Sequence, residues 1–440
     1  MDVQRLAVRP DDDRYLYGRG AAWFAFAMTL ALMVFDYVDR QVIVSLFPFL
    51  KAEWDLSDKQ LGALVSIISI TVAIGVLPVA LVADRASRVK SIVVMAAIWS
   101  LATVSCMWTR SYGQLLAARG LVGLGETGYG SVGAALIASH FPSRMRGALL
   151  AAFFASASVG SVLGVLLGGV IAAKWGWQAA FGVVGVPGLV LALLYLKVRD
   201  YRTVELTPAL EAKRRSLGAA ARHIVQALAR SHTMMWVCIG GAAELIVVSA
   251  LWSWLPSFLN RVHGIAPADA AIKAALVVLA GAAGSVVWGA LVDRAGIGRP
   301  RRKLAVMAVL CLAAMAVLVA AFGLALAQQT QFALVALGGF MATCTVGPVS
   351  AIVIDVVHPG LRATGSSVLA LFQNLFGLAT GPFLAGALSD AWGLAPALTA
   401  MPLFAILAAG AFLLAARSYE ADKARSLQLP AIPSAAGALA

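Results

Sequence analysis

Six charged residues stand inside stretches of the sequence that are otherwise apolar. A charge in the centre of a lipid bilayer costs at least about 2.5–3.5 kcal/mol, so such residues usually face a watery cavity and take part in moving ions or substrates. They are four acids and two arginines: Asp36, Asp39, Arg40, Arg119, Glu126 and Glu244. These residue types predict proton exchange coupled to the binding of an anion.

The spacing of these residues places several of them together. Positions 36, 39 and 40 lie three and four apart and share one face of a helix. Arg119 and Glu126 lie two helical turns apart and also share a face. A carboxylate in a partly dry cavity tends to hold a proton and a nearby arginine opposes this, so movement of that arginine captures or releases a proton. The predicted proton-coupling residues are Glu126, Asp39, Asp36 and Glu244; the alternative is a structural salt-bridge cluster.

Arg119 is also the first candidate for holding a substrate. A guanidinium grips a carboxylate or phosphate through two parallel hydrogen bonds, which predicts an anionic or zwitterionic head group. Arg40 is the second candidate, with pairing to a helix-1 aspartate as its alternative role. Six further residues could hold an apolar body or orient it, although packing is the alternative for each: Tyr37, Tyr129, Trp252, Trp254, Phe372 and Asn374.

The composition predicts that these residues sit in a membrane protein. Of 440 residues, 61% are hydrophobic and 12% are charged, and the mean hydropathy is +0.87. Soluble domains carry about 25% charged residues. Too little polar material remains to cover a soluble protein of this length, which excludes aqueous enzymes and nucleic-acid readers as starting points.

Motifs for metals, nucleotides and disulfides are missing from the sequence. The four cysteines fall in apolar runs without CxxC spacing, no HExxH pair occurs, and no GxxxxGK[ST] loop is present to hold ATP phosphates. We expect no metal and no cofactor. A membrane-embedded enzyme would need a nucleophile and base at the membrane surface, and the sequence offers none, so we expect that the protein is not an enzyme.

Charged or Pro/Gly-marked breaks divide the chain into twelve apolar runs of membrane-spanning length. They lie near 20–47, 58–83, 89–109, 113–139, 147–173, 178–197, 233–259, 266–292, 303–327, 330–357, 362–389 and 394–416. The predicted fold is an all-α membrane protein with two six-helix bundles at 19–197 and 233–416. A linker at 198–232 joins them, and tails at 1–18 and 417–440 flank them.

The basic residues predict the orientation of these spans. With the N-terminus inside, 26 of the 34 lysines and arginines lie in cytoplasmic segments and six lie outside. Lys and Arg are retained on the cytoplasmic side, so both termini are predicted to be cytoplasmic. The expected location is a bacterial inner membrane. The net charge of +13 then reflects topology and requires no nucleic-acid partner.

The two halves repeat each other. Asp84-Arg85 after the second run matches Asp293-Arg294 after the eighth, and Trp175-Gly176 matches a Trp-Gly pair 217 residues later. Parallel six-helix repeats are typical of transporters, with a site between the halves near the bilayer midplane. An aspartate near a helix end can pair with loop cations and with a helix N-terminus and so close the cytoplasmic side. The predicted gating residues are Asp84, Arg85, Arg88, Asp293 and Arg294; the compatible alternative is that they fix topology.

Small residues and prolines predict where helices pack closely or bend. Gly160, Gly164 and Gly168 recur every four residues and form a smooth stripe for a neighbouring helix. A run of glycines loosens the fourth span. Pro348 and Pro382 are predicted kink sites.

Several of these segments resemble the major facilitator superfamily over about 18–418. The segment from Ala80 to Lys90 is similar to the family's motif between helices 2 and 3, with Ala in place of the leading Gly, and Arg119 with Gly123 and Gly125 is similar to its helix-4 motif. Gly164–Gly169 resembles the helix-5 motif of exporters and antiporters, although Val165 replaces the usual Pro.

Within that family the chain resembles the spinster-like group. The resemblance rests on Asp36-Tyr-Val-Asp39-Arg40 in helix 1, on 119–126 with Tyr129 in helix 4, and on 254–264 in helix 7. It implies a secondary transporter that works by alternating access, with helices 1, 4, 7 and 10 around the cavity. Spinster-like proteins of animals move lysophospholipids and phosphorylated sphingoid bases. The anion:cation symporter group has a similar pattern in helices 1 and 4.

The expected function is therefore proton-coupled transport of an amphipathic anionic or zwitterionic molecule such as a lysophospholipid. One alternative is a proton-coupled symporter of a small organic anion, and another is a receptor or scaffold that kept the fold without transport. The expected partners are a small-molecule or lipid substrate, protons and membrane lipids, with no nucleic acid. We expect a monomer.

Overall fold

The computed structural model describes residues 15–83, 87–200, 231–297, 299, 301–357 and 362–428. Over these ranges the chain is helical and contains no β-strand. Eleven helices among the described residues are long and apolar enough to cross a membrane. The remaining predicted span, the fourth, is helical but divided into two segments, so the all-α fold with twelve predicted spans is confirmed.

The first half comprises six of these spans. They are α1 Arg19–Trp54, α2 Asp58–Ala83, α3 Arg88–Ser105, α4 Tyr112–Glu126 and Tyr129–His140, α5 Ser143–Trp175, and α6 Trp177–Tyr195. A short 3-10 turn, Cys106–Trp108, follows α3. Residues 201–230, which include most of the predicted linker, lie outside the described residues.

The second half comprises the other six. They are α7 His232–His263, α8 Pro267–Ala295, α9 Arg302–Gly323, α10 Gln328–Ala342 and Val346–Val356, α11 Arg362–Phe372 and Thr380–Trp392, and α12 Leu394–Ala400 and Phe404–Gln428. The predicted runs start or end within a few residues of these bounds in most cases.

Two helices extend well beyond their predicted ends. Helix α1 continues through Pro48 to Trp54, and α12 continues to Gln428 although its apolar run ends at 416. The added turns of α12 are amphipathic, and their polar groups are used: Asp422 Oδ2 accepts hydrogen bonds from Ser231 Oγ at 3.0 Å and from the Thr233 N–H at 2.9 Å. Hydropathy alone ends α12 too early because the added turns are mostly polar and are held by hydrogen bonds to the start of α7 and by burial of the Tyr419 ring.

The irregular turns fall near the predicted glycine and proline sites. Helix α4 breaks at Thr127–Gly128, where Gly128 has a φ of 84° that favours glycine. In α10 a 3-10 turn, Thr343–Thr345, directly precedes the segment that contains Pro348, and in α11 a π-helical turn, Gln373–Leu378, precedes Pro382. Proline clashes with the carbonyl four residues earlier, which accounts for these local departures from the α-helix.

The glycine stripe of α5 lies directly on α1, as the sequence predicts. A Cβ at Gly160 would overlap the carbonyl oxygen of Val34, and one at Gly164 would come within 2.5 Å of the Val38 carbonyl oxygen. A Cβ at Gly168 would come within 2.6 Å of the Val42 carbonyl oxygen. The two helices therefore pack backbone to backbone, which fixes the face of α1 that carries the charged residues.

The two halves meet at the end of the bundle where α1 passes into α2, which we call the α1–α2 end. There α2 packs on α11, and α5 packs on α8. A Cβ at Gly62 of α2 would overlap the Pro382 carbonyl oxygen of α11, and one at Gly169 of α5 would overlap Ala271 of α8. The halves touch so closely at both places that neither can open without separating these surfaces.

Candidate functional site

The charged residues of α1 and α4 form two separate groups. Helix α4 runs antiparallel to α1, so a residue further along α4 meets a residue earlier along α1. Arg119 therefore lies beside Asp39, and Glu126, seven residues later, lies beside Arg40 and Asp36. We call the first group the buried pair and the second the Arg40 group.

The buried pair is enclosed on all sides. Arg119 Nη1 lies 2.9 Å from Asp39 Oδ1, and neither side chain is more than 2% exposed. Nη1 also donates to the Asp39 carbonyl oxygen at 3.1 Å, and Nη2 donates to the Arg40 carbonyl oxygen at 3.4 Å. Thr103 of α3 donates its hydroxyl hydrogen to Asp39 Oδ2, and the Phe181 ring of α6 lies 6.0 Å from the guanidinium. The pair thus ties α1, α3 and α4 together.

The Arg40 group is more open. Arg40 Nε donates to Asp36 Oδ1 at 3.3 Å and lies 2.9 Å from Glu126 Oε2. The second contact is an ion pair without a directed hydrogen bond, and neither Glu126 oxygen has a hydrogen-bond partner among the described residues. The Arg40 side chain is 18% exposed, whereas that of Glu126 is fully buried. Over the described part of the chain, no protein group accepts a hydrogen bond from the terminal nitrogens of Arg40.

The two arginines that are candidates for the head group differ in their surroundings. Both terminal nitrogens of Arg119 donate to α1. Arg40 has the partly exposed side chain, with the Tyr37 ring 5.3 Å from its guanidinium. The local reason is the helix itself: Asp39 and Arg40 are consecutive, and consecutive side chains point about 100° apart. One of them faces α3 and the other faces the end of the first α4 segment.

Two of the predicted aromatic contacts are instead engaged in packing. Tyr129 is fully buried, and its hydroxyl donates to the Thr29 carbonyl oxygen at 2.5 Å. Trp254 is also fully buried, and its Nε1 donates to the Pro382 carbonyl oxygen at 3.0 Å. In this conformation both rings are fully occupied by protein neighbours.

Three further aromatic and amide candidates lie in the second half and are partly buried. Trp252 packs against the interior between α7, α8 and α10. Phe372 stacks near Phe376 with 5.3 Å between ring centroids, and Asn374 Nδ2 donates to the Ala370 carbonyl oxygen at 2.9 Å. Phe372 directly precedes the π-helical turn of α11 and Asn374 lies within it; such irregularities are frequent at functional sites.

Glu244 lies apart from both groups. It is 1% exposed on α7, and neither carboxylate oxygen has a hydrogen-bond partner among the described residues. Cys311 of α9 lies beside it. Glu244 thus differs from Glu126 in having no cation next to it in the described part of the chain.

The structure describes three of the five predicted gating residues. Asp84 and Arg85 lie outside the described residues. Arg88 begins α3, whose first turn is capped by Ser87. Asp293 at the end of α8 pairs with Lys303 at the start of α9, with 2.8 Å between Nζ and Oδ1, and Arg294 is exposed. The pair that forms here therefore lies within the second half and does not bridge the two halves.

A further charged cluster, centred on Asp58 at the α1–α2 end, was missed from the sequence. Asp58 contacts Lys51 of α1, Arg261 of α7 and Ser389 of α11. Its partners lie up to 331 residues away, so no spacing rule could have found them. The sequence does show one feature of this cluster, which is an aspartate in the first turn of a helix, directly after Ser57.

The described residues were compared with the requirements of a metal-binding site. No group of three or more His, Cys, Asp or Glu side chains is arranged there to hold a metal ion. All four cysteines are buried and free.

Comparisons with known proteins agree with this architecture. The sequence profile of the Major Facilitator Superfamily matches residues 29–381. An MFS-type efflux pump of Mycolicibacterium smegmatis is 29% identical over 397 residues, with 89% of each chain covered. Protein spinster of Drosophila melanogaster is 25% identical over 382 residues, which make up 84% of this chain and 62% of that protein.

The fold is also that of a solved transporter. A crystal structure of a bacterial homolog to the human lysosomal transporter Spinster, inward-facing and occupied, matches with a TM-score of 0.80 at 24% identity, covering 92% of this chain and 99% of that one. The named relatives are a pump, spinster itself and a spinster homolog, and none is an enzyme. With a family match over most of its length, this chain belongs to the Major Facilitator Superfamily of membrane transporters and is similar to its spinster group.

Proposed function

We propose that this transporter moves an amphipathic molecule with an anionic or zwitterionic head group, such as a lysophospholipid, and that protons drive the movement. The observation that carries the proposal is the state of Arg40. Its Nε is held by two carboxylates, while its terminal nitrogens are not used by the described part of the chain and its side chain is partly exposed. A guanidinium so placed offers two parallel donors to an incoming carboxylate or phosphate.

Coupling follows from competition for this one cation. A head group that binds Arg40 weakens the contact between Arg40 and Glu126, which spans 2.9 Å in the structure. Glu126 has no hydrogen bond among the described residues to stabilise its charge. A buried carboxylate that loses its cation takes up a proton. Substrate binding and protonation of Glu126 therefore favour each other, and release of either favours release of the other.

The apolar part of the substrate is proposed from aromatic residues in both halves and from the similarity to spinster. Tyr37 lies beside Arg40, and Phe372 and Phe376 stand at the π-helical turn of α11. An acyl chain or similar apolar body fits such a lining. The alternative, a small organic anion carried by symport, would use the same arginine but would gain nothing from the aromatic residues.

We further propose that the protein acts as a monomer in a bacterial inner membrane, with both termini in the cytoplasm. The excess of basic residues in the predicted cytoplasmic segments supports this orientation. It places the α1–α2 end outside the cell. Labelling of single cysteines in intact cells tests it: we expect a cysteine at position 110 to react with an impermeant reagent and one at position 215 to react only after lysis.

The function is tested with purified protein in proteoliposomes. We expect lysophospholipid movement that increases when a proton gradient is imposed and that stops when an ionophore collapses it. Competition by a fatty-acyl anion but not by a short carboxylate of equal charge would support the lipid-like substrate. Competition by the short carboxylate alone would favour the symporter of small anions, and transport insensitive to the gradient would remove proton coupling.

A further inference from the structure

We propose that two contacts form a charge lock between the halves: the ion pair of Asp58 with Arg261, and the cap that Asp390 provides for the helix end at Asp58. This lock sets how readily the two halves separate at the α1–α2 end. The proposal builds on the proposed alternating access, in which these halves must part once per cycle. It adds three residues to the cycle, none of which is among the predicted proton-coupling, substrate-binding or gating residues.

The lock joins the two halves through a carboxylate that is almost fully buried. Asp58 of α2 belongs to the first half, and its side chain is 5% exposed. Arg261 of α7 belongs to the second half, and its Nη1 lies 2.7 Å from Asp58 Oδ2 and 2.9 Å from Oδ1. Ser389 of α11 donates to Oδ2 at 2.5 Å. Two groups of the second half thus hold one carboxylate of the first.

A second contact runs in the opposite direction. The carboxylate of Asp390 on α11 accepts hydrogen bonds from the backbone N–H groups of Asp58 at 2.8 Å and Lys59 at 2.9 Å. These are free N–H groups in the first turn of α2, and an anion at a helix N-terminus is favoured by the helix dipole. The second half therefore supplies a cap for a helix of the first half.

The backbones around the lock are in close contact. A Cβ at Gly386 of α11 would overlap the Asp58 carbonyl oxygen, and one at Gly62 would overlap the Pro382 carbonyl oxygen. The Trp254 ring, itself packed on Phe47 of α1, lies 5.8 Å from the Arg261 guanidinium. Separation of the halves must break the ion pair, the cap and this packing together.

The internal repeat provides a comparison within the same molecule. Gly169 of α5 is the counterpart of Gly386, and it lies on α8 as Gly386 lies on α2. The counterparts of Asp58, Ser389 and Asp390 are Pro267, Ala172 and Ala173. The α5–α8 contact therefore has the same close packing without ionisable groups at the corresponding positions. The α5–α8 interface is closely packed without charges at these positions, while the α2–α11 interface combines close packing with charges, so the charges at α2–α11 are not required by the close approach of the helices.

Lys51 offers a matched control because it contacts the same carboxylate without crossing between the halves. Its Nζ lies 2.5 Å from Asp58 Oδ1, but Lys51 belongs to α1 of the first half. Loss of Lys51 removes a positive charge from Asp58, just as loss of Arg261 does. Only loss of Arg261 removes a link between the halves.

The test measures the distance between the halves directly. Spin labels at positions 110 and 327, both exposed at the α1–α2 end, report this distance by double electron–electron resonance, with the four buried native cysteines replaced by alanine. We expect Arg261→Gln to increase the ratio of the long-distance to the short-distance population about tenfold or more, a shift that needs only a modest difference in free energy. We expect Lys51→Gln to change it less than about threefold. Asp390→Asn should shift the distribution in the same direction as Arg261→Gln.

A charge swap guards against misfolding and against general effects of lost charge. The double variant Asp58→Arg with Arg261→Asp should return the distribution toward that of the parent protein, while Asp58→Arg alone should open it. Unchanged distributions in both Arg261→Gln and Asp390→Asn, or equal shifts in Lys51→Gln and Arg261→Gln, would overturn the lock. The readout needs no substrate, so failure of lipid or proton transport in the parent protein would overturn the proposed function without affecting this result.

Discussion

The buried pair and the Arg40 group use the same chemistry in different surroundings. Both are arginine–carboxylate contacts between α1 and α4 at 2.9 Å. Arg119 is fully enclosed, and both of its terminal nitrogens donate hydrogen bonds to α1. Arg40 is partly exposed, and its terminal nitrogens have no acceptor among the described residues. A charge within a membrane protein can hold helices together or keep donors available to a ligand, and the exposure of the side chain and the use of its donors distinguish the two.

The largest expected effect comes from breaking the buried pair. Arg119→Leu leaves Asp39 buried without its cation, and removal of one partner of a buried ion pair costs about 3–5 kcal/mol of folding free energy. We expect a large fall in the thermal unfolding temperature and little monodisperse protein in detergent. Arg40→Leu, at a partly exposed site, should lower the unfolding temperature much less. Equal destabilisation by the two variants would mean that the groups do not differ in this way.

The second prediction concerns the proton. Glu126→Gln keeps the shape of the side chain but cannot exchange a proton, so we expect loss of gradient-driven transport while substrate exchange at equal pH persists. The measurement is uptake into proteoliposomes with and without a pH gradient. If gradient-driven uptake were retained in full, the proton would have to be carried by Asp36, Asp39 or Glu244.

A smaller effect is expected at the unpaired glutamate. Glu244→Gln should leave gradient-driven transport within about twofold of the parent protein, because no cation is beside Glu244 among the described residues for a substrate to displace. The same proteoliposome assay applies, and Glu126→Gln is its positive control. Loss of coupling in Glu244→Gln would show that the second half also carries a proton.

The smallest effect is expected at the surface. Asp293 and Lys303 pair at 2.8 Å, but the Asp293 side chain is 61% exposed. Exposed ion pairs contribute about 0–1 kcal/mol. We expect Asp293→Asn to change the unfolding temperature by no more than a degree or two and to leave transport intact. A strong loss of transport would mean that this residue closes the cytoplasmic side in another conformation, as its motif suggests.

The sequence predicted the span pattern and the set of membrane charges, because both depend on local composition and helical period. It did not predict which acid pairs with which arginine. Three and four residue spacings place Asp36, Asp39 and Arg40 on one broad face, but the pairing depends on the antiparallel course of α4 and on its break at Gly128. Those are tertiary features.

The contacts between the two halves could not be predicted from the sequence. Asp58 and Arg261 are 203 residues apart, and both stand near loops where charges are ordinary. Their importance comes only from burial between two bundles. The added turns of α12 are likewise held by hydrogen bonds to the start of α7, which the apolar pattern does not reveal.

The most direct test of the division between the two groups is the affinity for a lysophospholipid of the parent protein, Arg40→Lys and Arg119→Lys, measured at constant pH on folded, monodisperse protein. Lysine keeps the charge but cannot form the two parallel hydrogen bonds of a guanidinium. If Arg40 holds the head group, Arg40→Lys should bind at least about tenfold more weakly, while folded Arg119→Lys should bind within about threefold of the parent protein. Weak binding by Arg119→Lys with unchanged binding by Arg40→Lys would contradict this, and would mean that Arg119 leaves Asp39 to take the substrate.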